Sequence, residues 1–251
     1  MEVRLPQIIE DMTSIKVLTV SEALVGIAGL LSDIERLAIG AEALLLKAKF
    51  LGRPVVIKWR FPKPYMPPKL DAEFRRMRTL IEFKSLTKAR EVGVLVPKPM
   101  LLFEDEGVLI MEFIEGSILR NVVDGLAEDE LCRICRLVGL YAGKLHSIGV
   151  SHGDLTTSNV IVGSDGDVYL IDFGLANLGS KFKDFAIDVH IFFRAAESTH
   201  YMREQIVKNC FIEGYRDVLG VKAQHVLKLV EELRLSGRYK AERKLRSVWR
   251  S

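Results

Sequence analysis

The segment Ser-His-Gly-Asp-Leu-Thr-Thr-Ser-Asn at 151–159, followed by Ile-Asp-Phe-Gly at 171–174, decides the fold. Asn159 comes five residues after Asp154, and Asp172 comes 13 residues after Asn159. Between the two segments, two short apolar stretches flank a Ser-Asp-Gly-Asp turn, which predicts a β-hairpin. Either segment alone would fit a polar turn before an ordinary strand pair. Together, at this spacing, they indicate a phosphotransferase site.

The two segments resemble the catalytic loop and the Asp-Phe-Gly motif of the protein-kinase superfamily. This resemblance implies that Asp154 accepts or steers the proton of the attacking oxygen. It also implies that Asn159 and Asp172 hold Mg²⁺, because amide and carboxylate oxygens are hard ligands that suit magnesium bound to nucleotide phosphates. ATP and Mg²⁺ are therefore the expected cofactors.

Val-Val-Ile-Lys at 55–58 resembles the strand that carries the phosphate-pairing lysine of kinases, here Lys58. The partner of this lysine should be a carboxylate on the next helix. Glu82 lies 24 residues further, in the middle of that predicted helix. Glu73 is the competitor, but its expected place in the first turn is explained by the helix dipole. The sequence therefore favours a Lys58–Glu82 ion pair.

Gly40-Ala41-Glu42-Ala43 occupies the place of the glycine-rich loop that covers the nucleotide in kinases. It departs from that pattern because it holds a single glycine, and Glu42 would bring negative charge close to the phosphates. Further along, Met-Glu-Phe-Ile at 111–114 falls where kinases have their hinge. We expect the backbone of Glu112 and Ile114 to pair with the adenine edge.

Asp188 resembles the kinase aspartate that anchors the catalytic loop from a helix below it, with an N-cap or a surface acid as the alternative. His152 is expected to hold the loop by packing and hydrogen bonding. The other histidines are expected to be structural or surface residues; they are His146, His190, His200 and His225.

The order of elements predicts an α+β, bilobal protein-kinase-like fold with an expected cleft between the lobes. A β-rich N-lobe with one long helix would precede a small, mostly helical C-lobe. The predicted divisions are an N-terminal extension of unknown role (1–33), the N-lobe (34–110), a hinge (111–116), the C-lobe (117–235) and a basic tail (236–251).

Local patterns assign most elements. Asp71 is the predicted N-cap of the long helix and Gly93 its stop. The predicted strands are Ile34–Ile39, Leu44–Phe50, Pro54–Trp59, Pro99–Glu104, Val108–Phe113, Val160–Val162 and Val168–Ile171. The predicted helices are Ser21–Leu31, Asp71–Val92, Glu128–Ile148, Asp184–Ser198, Met202–Leu219 and Ala223–Leu235.

The composition is that of a soluble globular enzyme: 49% of residues are hydrophobic, 27% are charged, and the net charge is +3. The apolar run Ile15–Leu31 is too short and too charged to span a bilayer, so we expect a cytosolic protein without a membrane partner. Cys132, Cys135 and Cys210 form no secreted-type disulfide framework, which favours a reducing compartment. The Cys-x-x-Cys spacing lies in a helical pattern and lacks further zinc ligands.

Only 13 residues separate Gly174 from Asp188, and no Ala-Pro-Glu segment lies among them. The long activation loop on which ordinary protein kinases hold a peptide is therefore missing. Together these features resemble the small atypical serine/threonine kinase of the KEOPS complex, the PRPK-type family, over residues 34–245. The likeness is carried by Gly-Ala-Glu-Ala at 40–43, Arg78-Thr79 and Glu82, the segments 152–159 and 171–176, Glu-Ser-Thr-His at 197–200 and the tail 237–243.

Membership of this family implies ATP binding, serine/threonine autophosphorylation or ATP hydrolysis, and a part in threonylcarbamoyl-adenosine modification of tRNA. The expected partners are the threonylcarbamoyltransferase subunit and other KEOPS subunits. The basic tail is a candidate tRNA contact. Two alternatives are a small-molecule kinase of the aminoglycoside-phosphotransferase type, because His-Gly-Asp occurs there too, and a nucleotide-binding pseudokinase scaffold.

Overall fold

A computed structural model describes the backbone of residues 26–248 and the side chains of residues 26–235. The chain forms two compact units. Among the described residues, the first unit comprises 26–87 and 97–113, and the second comprises 88–96 and 114–248. The first is built on an antiparallel sheet and the second is mainly helical, which confirms the predicted α+β class.

The sheet of the first unit has five antiparallel strands in the order β1-β2-β3-β5-β4. The strands are β1 (Leu31–Ile39), β2 (Leu44–Phe50), β3 (Arg53–Trp59), β4 (Pro99–Phe103) and β5 (Val108–Glu112). Alternate residues of the central strands, such as Leu46, Ile57 and Ile110, form the core of this unit. The sheet register places Lys58 opposite Leu45 on one side and Leu109 on the other.

Helix α1 (Pro68–Glu91) begins three residues earlier than the sequence predicts. Pro68 is the first helical residue, a position where the missing N–H of proline costs nothing. The prediction of Asp71 as N-cap was therefore wrong. Asp71 lies inside the first turn, where its carboxylate accepts hydrogen bonds from the backbone N of Lys63 and from Arg75 Nε. Gly93, with φ of 69°, follows the helix end as predicted.

The second unit combines a three-stranded sheet with a group of helices. Its elements are β6 (Gly116–Ile118), α2 (Leu119–Val122), α3 (Glu128–Ser147), β7 (Val160–Gly163), β8 (Val168–Leu170), α4 (Phe182–Thr199), α5 (Glu204–Leu219) and α6 (Val221–Val248). β7 and β8 form the predicted hairpin. Helices α3 and α5 pack so closely that a Cβ at Gly139 would collide with the backbone of Phe211.

Some element boundaries differ from the sequence prediction. The helix predicted for Ser21–Leu31 lies largely outside the described residues, and its described end is different. Ala28–Leu30 form a short 3-10 turn and Leu31 already belongs to β1. Helix α6 continues to Val248 in place of the predicted end at Leu235. In the part of the chain that is described, no helix is both long and apolar enough to cross a membrane.

Cys132 and Cys210 form a disulfide, a pairing that the sequence analysis did not predict. The bond joins α3 to α5 across a sequence separation of 78 residues, and only the packing of these helices brings the two cysteines together. Cys135, the other half of the Cys-x-x-Cys pattern, is buried and free. Burial raises the pKa of the Cys135 thiol to about 12, so this cysteine carries no reactive thiolate near neutral pH.

Removal of this disulfide should lower the free energy of unfolding by about 2–4 kcal/mol, because the bond closes a long loop and restricts the unfolded chain. The variant is Cys132→Ala/Cys210→Ala, and urea unfolding with and without reductant is the measurement. Reductant should lower the unfolding midpoint of the unaltered chain and leave that of the double variant unchanged. If reductant does not change the unfolding midpoint of the unaltered chain, the presence of the disulfide would be contradicted.

Candidate active site

A buried carboxylate shared by two cations lies in the first unit. Lys58 Nζ on β3 is 2.9 Å from Glu82 Oε1, and Arg60 Nη2 is 2.6 Å from Glu82 Oε2. The Glu82 side chain has no solvent exposure, and that of Lys58 has 8%. The pairing of Lys58 with Glu82, favoured on sequence over Glu73, is therefore present. Glu73 is exposed and lies beyond the first turn of α1, so its predicted place in that turn was wrong.

Arg60 was missed by the sequence analysis. Its side chain is 4% exposed, and Nη1 donates to Thr79 Oγ1 at 3.3 Å. The Thr79 hydroxyl in turn donates to the Arg75 carbonyl one turn earlier in α1. Because Arg60 follows Lys58 by two residues, the pleat of an extended chain directs both side chains to the same face. Glu82 is thus held by one cation from β3 and by another just after its end.

The turn Gly40-Ala41-Glu42-Ala43 connects β1 to β2 and is closed by a hydrogen bond from Gly40 N to the Ala43 carbonyl. Glu42 forms an ion pair with Arg78 of α1. The hydrogen bond and charge of Arg78 lower the pKa of Glu42 despite the opposing effect of burial. Its negative charge is thus compensated within this unit.

The predicted hinge residues lie at the end of β5 and just beyond it. The backbone N of Glu112 donates to the Lys98 carbonyl, and the Glu112 side chain accepts a bond from Lys98 N. The N–H of Glu112 is therefore already used. Any pairing of this residue with an adenine edge falls to its carbonyl, and Ile114 is left to supply a donor.

In the second unit, the catalytic-loop segment holds Asp154 and Asn159 in direct contact. Asn159 Nδ2 donates to the Asp154 carbonyl at 2.8 Å and to Asp154 Oδ2 at 2.9 Å. A 3-10 turn over Thr157–Asn159 brings the amide back towards the aspartate. Since both donor bonds use the amide nitrogen, the amide oxygen of Asn159 is the atom suited to bind a metal ion.

Asp172 follows the hairpin that begins directly after Asn159. The backbone N of Ile171 donates to the Asn159 carbonyl, which fixes the start of the Asp-Phe-Gly segment beside the loop. Asp172 has a φ of 61°, a left-handed conformation that costs energy for a residue with a Cβ. Gly174 N donates to Asp172 Oδ1 at 3.3 Å. Asp172 is exposed and carries a carboxylate suited to Mg²⁺.

Asp188 anchors the loop from helix α4, as the resemblance to kinases implies, and is neither an N-cap nor a surface acid. Its carboxylate accepts the backbone N–H of His152 at 2.6 Å and that of Gly153 at 2.8 Å. His146 Nε2 lies 3.1 Å from the same carboxylate. Gly153 has a φ of 82°, and a Cβ there would collide with the Leu175 carbonyl, so only glycine fits this turn.

His152 connects the two motifs of the second unit. Asp154 N donates to its Nδ1, so this nitrogen is unprotonated, and Nε2 then donates to the Ile171 carbonyl at 3.0 Å. Its ring also packs on Phe173, with 4.4 Å between the centroids. The predicted role of His152 in holding the loop is confirmed.

Comparison with known proteins gives related chains, two of which are matched over most of their length. A protein of Pyrococcus abyssi named KEOPS complex subunit Bud32 is 38% identical over 208 residues, which cover 80% of this chain and 94% of that protein. A probable serine/threonine-protein kinase BUD32 homolog of Archaeoglobus fulgidus is 36% identical over 74% of this chain and 88% of its own. The chain belongs to the Bud32 family.

Two further similarities mark the limits of this Bud32-family assignment. Residues 70–177 match the RIO domain, a range that includes Glu82 and the whole catalytic-loop segment but begins after Lys58. A probable bifunctional tRNA threonylcarbamoyladenosine biosynthesis protein of Methanothermobacter thermautotrophicus is 34% identical over 81% of this chain. The chain spans 36% of the length of that protein.

A buried polar chain supports the catalytic loop of this Bud32-family protein and was not foreseen in the sequence. His146 Nδ1 lies 2.7 Å from the Tyr215 hydroxyl, so Asp188, His146 and Tyr215 link helices α4, α3 and α5. Burial, and then the negative charge of Asp188, raise the pKa of Tyr215, which keeps its hydroxyl protonated. The helical patterns place His146 and Tyr215 on apolar faces, the one signal that could have indicated their burial.

Proposed function

We propose that this chain is an ATP-dependent atypical serine/threonine kinase or ATPase of the KEOPS complex that supports threonylcarbamoyl-adenosine modification of tRNA. The observation that carries the proposal is the contact between Asp154 and Asn159, in a loop held by Asp188. It is supported by the match to a Bud32 subunit, which covers 80% of this chain and 94% of that subunit. In this proposal residues 34–110 are the N-lobe, 111–116 the hinge and 117–235 the C-lobe.

The site residues fit MgATP in their chemistry. The amide oxygen of Asn159 and the carboxylate of Asp172 are the hard ligands that would hold Mg²⁺, and bound Mg²⁺ would neutralise phosphate charge. Lys58, oriented by Glu82, would pair with the phosphates. Glu112 and Ile114 would face adenine, and the turn at 40–43 would cover the nucleotide.

Asp154 would accept the proton of the attacking hydroxyl as the oxygen forms its bond to the γ-phosphorus. The bond from that phosphorus to the bridging oxygen breaks, and ADP takes the electron pair. With water as the attacking group the same arrangement hydrolyses ATP. Asn159 supports either reaction because its hydrogen bond to Asp154 Oδ2 fixes the carboxylate and leaves Oδ1 to meet the hydroxyl.

The proposed partners follow from the names of the relatives. We infer that the chain binds a threonylcarbamoyltransferase subunit and other KEOPS subunits, that its basic tail at 236–251 contacts tRNA, and that it works in the cytoplasm, where tRNA is modified. A pull-down with the tagged chain should recover that transferase subunit. Recovery of the transferase at the level of a tag-only control would count against the assignment to the complex.

Replacement of Asp154 by asparagine tests the chemistry, because it removes the proton acceptor and keeps the size of the side chain. We expect ATP turnover and tRNA modification, measured with the purified transferase partner, to fall by about 100-fold or more. Asp165→Asn, the same change at an exposed turn of the β7–β8 hairpin, is the control and should keep full rates. Equal rates in Asp154→Asn and in the unaltered chain would rule out Asp154 as the proton acceptor and contradict the proposed mechanism.

A further inference from the structure

A pocket lies beside the loop at 152–159, entirely within the second unit. It has a volume of about 470 Å³ and is formed by the loop residues Thr156, Thr157 and Ser158 on one side and by helix α4 on the other. Arg120 of α2 also lines it. This volume is within the range of pockets that bind small molecules or single nucleotides. None of the residues proposed above to bind ATP or Mg²⁺ lines it.

The charge of this pocket is positive. Arg120 and Arg194 line it together with His190, and no carboxylate residue does. Both arginines are exposed, and Arg120 has no ion pair with any residue in the described part of the chain. An anion entering the pocket would thus meet two guanidinium groups, which bind phosphate oxygens with good geometry.

The group of charged residues around Arg194 keeps a net positive charge, although Arg194 itself contacts a carboxylate. Glu197 forms ion pairs with Arg194 at 3.1 Å, Lys208 at 2.7 Å and Arg234 at 2.6 Å. Lys208 also pairs with Glu204. Three cations face two carboxylates, which leaves one positive charge in excess. Burial by itself would raise the pKa of Glu197, but Lys208, Arg234 and Arg194 outweigh it and lower that pKa.

The pocket also has unused hydrogen-bonding capacity. The hydroxyls of Thr156, Thr157 and Ser158 make no side-chain hydrogen bond with any residue that the structure describes. His190 Nδ1 is buried and has no hydrogen-bond partner there either. This nitrogen is closed off from solvent, so the groups that an entering ligand would meet are the two arginines and the three hydroxyls. Hydroxyl groups beside arginines are typical contacts of nucleic-acid phosphates.

We propose that the pocket formed by Arg120, Arg194, His190 and the hydroxyls of 156–158 binds backbone phosphate of an RNA strand. This inference rests on the proposed function and deepens it, since it gives the RNA a contact on the folded second unit, separate from the basic tail. RNA is favoured over an acidic peptide because the hydroxyls suit phosphate oxygens and the volume admits a nucleotide. It is also favoured because a relative of this chain is named for tRNA modification.

The test measures binding of a fluorescently labelled tRNA transcript to the full-length chain at several salt concentrations. The variant is Arg120→Ala/Arg194→Ala. We expect its affinity to fall about tenfold or more near physiological salt, and the slope of log affinity against log salt to become shallower by about two, because two phosphate contacts are lost. Thermal unfolding should stay close to that of the unaltered chain, since both arginines are exposed.

The matched control is Arg133→Ala/Arg136→Ala, which removes the same charge from two exposed arginines of helix α3. Its salt slope should stay within error of the unaltered chain. Equal losses in the two double variants would overturn the pocket, because charge alone would then explain binding. The inference would also be overturned if Arg120→Ala/Arg194→Ala bound tRNA with unchanged affinity but lost binding of a labelled acidic peptide. The pocket would then be a binding site for protein.

ATP turnover without RNA, measured in the same variants, separates this inference from the proposed function. Both double variants should keep the turnover of the unaltered chain, since neither removes a residue of the proposed ATP site. If Asp154→Asn keeps full turnover, the proposed function fails whatever the tRNA result. If turnover depends on Asp154 but the tRNA affinity of Arg120→Ala/Arg194→Ala equals that of the unaltered chain, only the inference about the pocket fails.

Discussion

Replacement of Asp188 by alanine should lower the free energy of unfolding by about 3–5 kcal/mol and abolish ATP turnover. The carboxylate is almost fully buried and accepts the backbone N–H groups of His152 and Gly153. Without it, two buried donors lose their acceptor, and each such loss costs about 1–3 kcal/mol. The loop that carries Asp154 would then lose its anchor. Urea unfolding and ATP turnover are the measurements.

Asp184→Ala is the control for this prediction, because Asp184 lies on the same helix and its carboxylate accepts one backbone N–H, that of Lys181. Loss of this capping bond should cost about 1 kcal/mol, with turnover retained. Asp188→Asn should fall between the two, since its amide oxygen can accept one of the two N–H groups. If Asp188→Ala and Asp184→Ala unfold at similar urea concentrations, the anchor would have no special energetic role.

Elements with a strong local pattern were predictable from the sequence. Strand β2 has the predicted bounds, and α3 differs from its prediction by one residue at the end. The turn chemistry of the β7–β8 hairpin gave the right pairing because Asp-Gly specifies such turns. Strand β6 carries no such signal. It has three residues, and its pairing with β7 depends on chain that follows some 45 residues later.

Helix ends were harder to predict where a weak breaker occurs. The predicted end at Leu235 precedes Ser236 and Gly237, yet α6 continues through both to Val248. A glycine inside a helix costs only about 1 kcal/mol, which the helical residues on either side can offset. The start of α1 was misplaced because two possible start signals lie close together. Asp71 fits an N-cap, but Pro68 also fits the first helical position, and local preference does not decide between them.

The candidate site shows what a motif can and cannot specify. The Lys58–Glu82 pair and the Asp188 anchor were predicted from the resemblance to kinases, in which each joins a motif to a neighbouring helix. The second cation on Glu82, the Tyr215–His146 contact and the Cys132–Cys210 bond did not. These depend on side chains that tertiary packing brings together from distant positions, and a single sequence carries no signal for such pairs.

Replacement of Glu82 by glutamine should destabilise the first unit by about 3–5 kcal/mol, because it removes the carboxylate shared by Lys58 and Arg60 in a buried place. Nucleotide affinity should fall as well, since Lys58 loses the group that orients it. Urea unfolding gives the stability, and binding of a fluorescent ATP analogue gives the affinity. Glu73→Gln is the matched control, as it makes the same chemical change at an exposed position of the same helix.

The comparison with Arg60→Met then separates the two cations. Arg60 contacts Glu82 and Thr79, so its loss should destabilise the unit while Lys58 keeps its carboxylate. If the cations act together, the double variant Glu82→Gln/Arg60→Met should lose less stability than the two single losses added, because a buried cation and its carboxylate are removed as a pair. Glu82→Gln unfolding at the same urea concentration as Glu73→Gln would show that the buried carboxylate does not hold α1 to the sheet. Lys58 would then need another group to position it.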